Sequence, residues 1–159
     1  MTVVADSSPL ISFARAKKLH IIRNVYEEII IPPQVYNEIV VKGKRKPGAE
    51  EIQKASWIRI QKPKNQFEVE KLKARFDPGE SEAMILAVEL KAVLLADEGV
   101  VIKEARKRGL EITSTLLILE EAKNKHLIKS VKEELDNLIS NGFRATAELI
   151  RNTLQKVGE

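Results

Sequence analysis

Five short apolar or β-branched runs are spaced along the chain with helix-length stretches between them, and this alternation restricts the fold more than any other feature. The runs are Val3-Val4-Ala5, Glu28-Ile29-Ile30-Ile31, Trp57-Ile58-Arg59-Ile60, Ala92-Val93-Leu94-Leu95-Ala96 and Glu111-Ile112-Thr113. Their lengths suit strands, and Ser7-Ser8-Pro9 and Pro32-Pro33 punctuate the ends of the first two as helix starts or stops. Between the runs, apolar residues return at helical spacing. Leu10, Phe13, Ala14 and Leu19 predict one amphipathic helix through about residue 18. Val35, Ile39 and Val40 predict a second, and Ala83, Leu86, Ala87 and Leu90 form a buried helical stripe. Ala49 to Ala55 reads as a further helix, residues 42–48 as a basic loop, and helices fill most of the remainder to Val157. Strands alternating with helices predict an α/β fold, a three-layer α/β/α sandwich with a mostly parallel central sheet.

A chain of 159 residues that is 43% hydrophobic and 31% charged is expected to form one globular domain over residues 1–159, with its core at about 2–140 and terminal helices at 130–157. The longest apolar run is closed by Glu82 and Glu89, far too soon for a membrane span. Cysteine is absent, which excludes disulfides and thiolate metal sites. The N-terminus lacks the basic start of a secretion signal, so a cytoplasmic location is the default expectation. The net charge of +4 favours an anionic partner mildly, and a solvated lysine-rich surface accounts for it equally well.

The acids carry the chemistry. In open parallel sheets ligands bind beyond the carboxyl ends of the strands, and Asp6 and Asp97 stand at two such ends. Glu38 and Glu82 lie in helical segments that directly follow turn signals. Four converging carboxylates repel one another and repel a polyanion. A divalent cation resolves both problems, because Mg²⁺ takes a few carboxylates together with waters and phosphate oxygens and can activate a water. Structural roles compete at each position. Asp6 and Asp97 can cap the helices that follow them, and Glu38 can be a solvated residue on an amphipathic helix. In Asp77-Pro78-Gly79-Glu80 the order of N-cap, proline and glutamate reads as a capping box, the preferred role for Glu80.

Taken in order, Asp6-Ser7-Ser8, the segment from Pro33 through Val35 to Glu38-Ile39, then Gly79-Glu80-Ser81-Glu82-Ala83 with Leu86-Ala87, and Leu95-Ala96-Asp97, resemble the PIN-domain nucleases over about residues 2–140. The Gly-Glu-x-Glu-Ala segment is similar to that of the prokaryotic toxin-type ribonucleases of toxin–antitoxin pairs. The resemblance implies a metal-dependent endoribonuclease binding Mg²⁺ or Mn²⁺, with Asp6, Glu38, Glu82 and Asp97 as metal-holding, catalytic acids. It also implies RNA as substrate, a small antitoxin protein as partner and a homodimer; a metal–carboxylate pocket can hydrolyse either nucleic-acid backbone, so RNA over DNA rests on the resemblance. Ser8 matches a small polar residue that helps to hold the site, and Glu80 and Glu98 compete for the third and fourth acidic roles.

Lys42, Lys44, Arg45 and Lys46 follow Glu38 closely and are the candidate phosphate-contacting rim, and Lys103, Arg106, Lys107 and Arg108 would extend it. Gly79-Glu80-Ser81-Glu82-Ala83 is no nucleophile elbow, since no buried strand precedes it. His20 and His126 have no telling spacing and are expected to be structural or exposed. The rival reading is a non-catalytic nucleic-acid- or protein-binding module that keeps the same fold.

Overall fold

The computed structural model describes all 159 residues. All five expected strands form: β1 (Val3–Ala5), β2 (Ile29–Ile31), β3 (Ile58–Ile60), β4 (Val93–Leu95) and β5 (Ile112–Thr113). They pair in the order β3-β2-β1-β4-β5, and every pairing is parallel. The register sets Val3 beside Val93 and Ala5 beside Leu95, with Val4 opposite Ile30 across the other edge of β1. Both faces of the central strands are buried, which is why they read as continuous apolar runs rather than alternating ones.

Helices cover both faces. On one side Val3, Ala5, Ile29, Ile31, Val93 and Leu95 join a core cluster with α1 (Ser7–Arg15), α2 (Leu19–Tyr26), α4 (Ala49–Lys54), α8 (Thr115–Asn124) and α9 (Val131–Ser140). On the other, Val4, Ile30, Leu94 and Ala96 pack against α5 (Gln66–Leu72), α6 (Pro78–Leu90) and α7 (Gly99–Lys107). This is the three-layer arrangement that the alternation predicts. No helix is long and apolar enough to cross a membrane.

Two local features depart from the periodic reading. The helix expected to run through residue 18 ends at Arg15, and Leu19 opens α2 instead. Lys17 takes a left-handed φ of 59°, and the Lys17 and Lys18 N–H groups donate back to the carbonyls of Ala14 and Phe13. That is a helix C-terminus of the kind usually closed by glycine, so no residue here announces it. The second departure lies beyond α3 (Pro33–Tyr36), where residues Asn37–Val41 form a wider π-helical turn, closed by the Lys42 N–H on the Asn37 carbonyl at 2.8 Å. Glu38 sits in that turn.

Apolar packing anchors the C-terminal helices, and one carboxylate ties them together. Leu135 and Leu138 of α9 are buried in the core, while Ile139 is half exposed. After α10 (Ala147–Lys156), the Glu159 side chain accepts hydrogen bonds from Lys123 Nζ, Ser130 Oγ and the N–H groups of Val131 and Lys132. It thereby caps α9 and ties the chain end to α8. These donors, Lys123 first among them, hold its carboxyl at about 2. Because this value lies below the unfolded one, the stabilisation is full above about pH 4.5 and is lost as the pH falls towards 2. Glu159→Gln is therefore expected to lower stability by about 1–3 kcal/mol at pH 7. The gap from wild type should close as the pH approaches 2, as read from denaturant midpoints at pH 7, 4 and 2.5.

Candidate functional site

The strand order creates the site. From β1 the chain moves outward through β2 to β3, then returns to the opposite side of β1 to add β4 and β5. Connections therefore leave the carboxyl ends of β1 and β4 in opposite directions and open a crevice between them. Asp6 follows β1 directly, its N–H donating to the Leu95 carbonyl at 3.0 Å, and Asp97 lies just past the end of β4. A cleft of about 480 Å³ opens there, lined by six acids: Asp6, Glu38, Asp77, Glu80, Asp97 and Glu98.

Each acid is set by a local device. Asp6 is the N-cap of α1 and accepts the Ser7 N–H at 2.8 Å, yet only 2% of the residue is exposed. Ser7 Oγ donates to Glu38 Oε2 at 2.9 Å, tying the π-helical turn to the start of α1. Gly79 makes room for the same carboxylate, since a Cβ there would lie 3.3 Å from Glu38 Oε2. Asp77 and Glu80 form the expected capping box: Glu80 N–H donates to Asp77 Oδ1 at 2.7 Å and Asp77 N–H to Glu80 Oε1 at 3.0 Å. Asp97 caps α8, not α7, accepting the N–H and hydroxyl of Thr115 at 2.8 and 2.6 Å. Glu98 occupies the N-cap position of α7 without a capping bond and reaches the cleft from an exposed position.

Burial, with the neighbouring acids adding to it, raises the proton affinity of three of these groups. Burial pushes Asp6 up to about 7, against the Ser7 N–H, and Glu80, Asp77 and Glu38 push it further. Burial also raises Glu80, with Asp77, Glu98 and Glu38 adding to the effect and the Asp77 N–H opposing it. Asp97 is raised by burial and by Glu98, with Thr115 opposing. Two cations, Arg15 and Arg144, line the same cleft, and neither is engaged in an ion pair.

A hard divalent cation fits this donor set. All the candidate ligands are carboxylate oxygens, and Asp6 is desolvated beside other acids without a counter-charge, which is the deficit a bound cation fills. No three acids stand grouped as a ready-made ligand cluster. Glu38, Glu80 and Asp97 are each held by a protein donor instead.

Of the four acids that the resemblance assigns to metal, Asp6, Glu38 and Asp97 meet in the cleft and Glu82 does not. Glu82 is buried on the inner side of α6, where its Oε1 accepts the Gln34 N–H at 2.8 Å and so caps the first turn of α3. Glu80, two residues earlier on the helix, faces the cleft while also completing the capping box, so its two readings are compatible. Ser8 lines the cleft, but the hydroxyl that holds an acid belongs to Ser7. Glu98 shares the rim with Asp97. Lys42, Lys44, Arg45 and Lys46 are exposed, and none of them lines the cleft. Sequence reasoning missed Arg15, Asp77 as a cleft residue, and Arg144. The first two could have been found from their elements: Arg15 follows Ser8 by seven positions, two helical turns, and Asp77 is the cap partner of Glu80.

The raised value of Asp6 carries a sign. Its folded state holds a proton more tightly than its unfolded state, so this group makes stability fall as the pH rises from about 4 to 7. The distance from 3.8 to about 7 corresponds to a cost of up to about 4 kcal/mol once the group is fully ionised. Asp6→Asn keeps the cap and is expected to raise the melting temperature at pH 8 in a chelator, with little gain at pH 4. Millimolar Mn²⁺ should raise the melting temperature of the wild type and not that of the variant; an equal response of both would place the cation elsewhere.

Comparison with known proteins agrees with this architecture. A family model described as PIN domain (DUF3368) matches residues 2–159, essentially the whole chain. Among solved structures, the chain is similar to a PilT N-terminus domain protein from the hyperthermophilic archaeon Sulfolobus solfataricus P2. The two are 17% identical, with 92% of this chain and 98% of that one covered at a TM-score of 0.47, a likeness too loose to add to the assignment. No curated protein matches the chain. The extent of the family match, over a parallel sheet with acids at its switch point, means that the chain belongs to the PIN-domain family, a nuclease fold.

Proposed function

We propose that the chain is a divalent-metal-dependent endoribonuclease whose metal-holding acids are Asp6, Glu38, Glu80 and Asp97. The observation that carries this reading is the buried Asp6, surrounded by further carboxylates at the one place where the sheet opens a crevice. A purely structural cap would not need five other acids beside it. When bound, Mg²⁺ or Mn²⁺ would supply an activated water and neutralise charge on the phosphodiester.

The protein's own groups divide the remaining work. Asp6 and Asp97 are fixed at strand ends by backbone and hydroxyl donors, which sets their positions before any ligand arrives. Glu38 lines the cleft from the π-helical segment, held there by Ser7. Glu80 lines the cleft from the start of α6, where the Asp77 N–H holds its carboxylate. Arg15 and Arg144 supply positive charge on the rim, where a substrate phosphate would otherwise meet only acids. Histidine and cysteine have no part in this scheme. RNA rather than DNA, and a small inhibitory antitoxin, belong to the same proposal through the family's toxin branch; the corresponding expectation is that the purified chain is active alone.

The test is cleavage of mixed single-stranded and structured RNA with Mn²⁺, Mg²⁺ or a chelator. Metal-dependent products are expected from the wild type, with a loss of about 100-fold or more in Asp6→Asn and in Glu80→Gln. Glu82→Gln should retain activity within about tenfold, because its carboxylate serves the start of α3. Activity lost in Glu82→Gln and kept in Glu80→Gln would return the third acidic role to Glu82. Retained cleavage in Asp6→Asn would end the proposal.

A further inference from the structure

A second, larger groove of about 1260 Å³ runs between α7, α8 and α10 and meets the acid cleft at Asp97, Phe143 and Arg144. Its two walls differ in kind. Lys103, Arg106 and Lys107 stand three and four residues apart and so share one face of α7, with Arg144 at the junction and Lys156 on α10. Against these five cations the groove holds two acids, Asp97 and Glu120. Apolar side chains contribute the rest, among them Ile102, Leu116 and the half-exposed Leu117 and Leu149. Lys103, Arg106, Lys107 and Arg144 form no ion pair within the protein.

Glu120 adds an independent observation. The residue is 9% exposed, and its Oε1 is shielded from solvent with no hydrogen-bond donor; the nearest cation is Lys156 Nζ at 4.0 Å. A buried carboxylate oxygen without a donor is costly, and here it belongs to a residue that lines a groove.

We propose that this groove receives the single-stranded stretch of nucleic acid on one side of the scissile phosphate, with the α7 cations and Arg144 on its phosphates and Glu120 accepting a base amino group. The inference rests on the nuclease reading for its direction, since the groove empties into the acid cleft. Charge complementarity selects a polyanion over an apolar peptide. The apolar surface opposite the α7 row suits bases that are unstacked, which a duplex does not offer. Glu120 suits a donor on a base edge, because a carboxylate there would repel a phosphate. The exposed loop carrying Lys42, Lys44, Arg45 and Lys46 does not line the groove and is not part of this path.

The experiment is fluorescence anisotropy of the full chain with a labelled 15-nucleotide single-stranded RNA, in a chelator so that nothing is cleaved. Lys103→Gln/Arg106→Gln/Lys107→Gln should weaken binding about tenfold or more at moderate salt and flatten the salt dependence by about 2 in log–log slope. An unchanged melting temperature would show that the fold is intact. Neutralising residues 42, 44, 45 and 46 to Gln should leave binding within about twofold, and a duplex of equal length should bind at least several-fold more weakly. Glu120→Met should remove any preference for amino-bearing bases over oligouridine; a preference kept in the variant would overturn the role of Glu120. Groove variants that bind like the wild type, or a loss confined to the 42–46 variant, would overturn the path. So would a shift from dimer to monomer in the α7 variant with RNA binding unchanged, which would make the groove a contact between two copies. Binding in a chelator is read apart from cleavage in metal, so an active chain with an idle groove and an inactive chain with a binding groove give different results.

Discussion

Much of this structure depends on one unfavourable interaction, the burial of Asp6 among other carboxylates. A group whose proton affinity rises to about 7 lowers the stability of the folded chain at neutral pH. The fold tolerates it because the surrounding elements are fixed independently. β1 is paired on both sides, its side chains are buried on both faces, and α1 begins at Asp6 itself. The strain is electrostatic and local. It is placed where the parallel sheet switches direction, the position at which α/β folds bind ligands.

The rest of the site limits that cost without removing it. Ser7 holds Glu38, Thr115 holds Asp97, and the capping box holds Glu80. For Glu80 and Asp97 these donors oppose the upward push of burial on the carboxyl without cancelling it. Arg15 and Arg144 lie at the rim and not between the acids as ion-pair partners. Under the proposed function, such a pocket would take up a divalent cation and then, with the rim arginines, a substrate phosphate.

Much of this was legible in the residues. The five strands declared themselves through β-branched and apolar runs because each lies between two layers of helices. Asp6 and Asp97 declared themselves by following such runs. Less visible was anything decided by helical phase at a helix start: Glu80 and Glu82 are 200° apart on an ideal α-helix, so only one of them can face the cleft. The spacing to Ala83 and Ala87 favoured Glu82, whereas the cap at Asp77 fixes the phase that turns Glu80 outward. The break at Lys17 lacked glycine or proline and was silent for that reason. Arg144 was invisible because the loop between α9 and α10 reaches the cleft only through tertiary packing of the C-terminal helices. The basic segment 42–46 was the most conspicuous charge run in the sequence, yet it does not line the cleft, since local charge density carries no information about where a loop's side chains point.

Cation binding beside Asp6 is measured most directly by calorimetric titration of the wild-type chain with Mn²⁺ at pH 7, repeated in buffers of different ionisation enthalpy. A cation bound beside Asp6 must displace the proton that burial has stabilised there, so binding should release about half a proton per chain at that pH, and less as the pH rises to 8. No binding, or binding with no proton released at either pH, would contradict the assignment of Asp6 as a metal-holding acid and with it the account of the cleft.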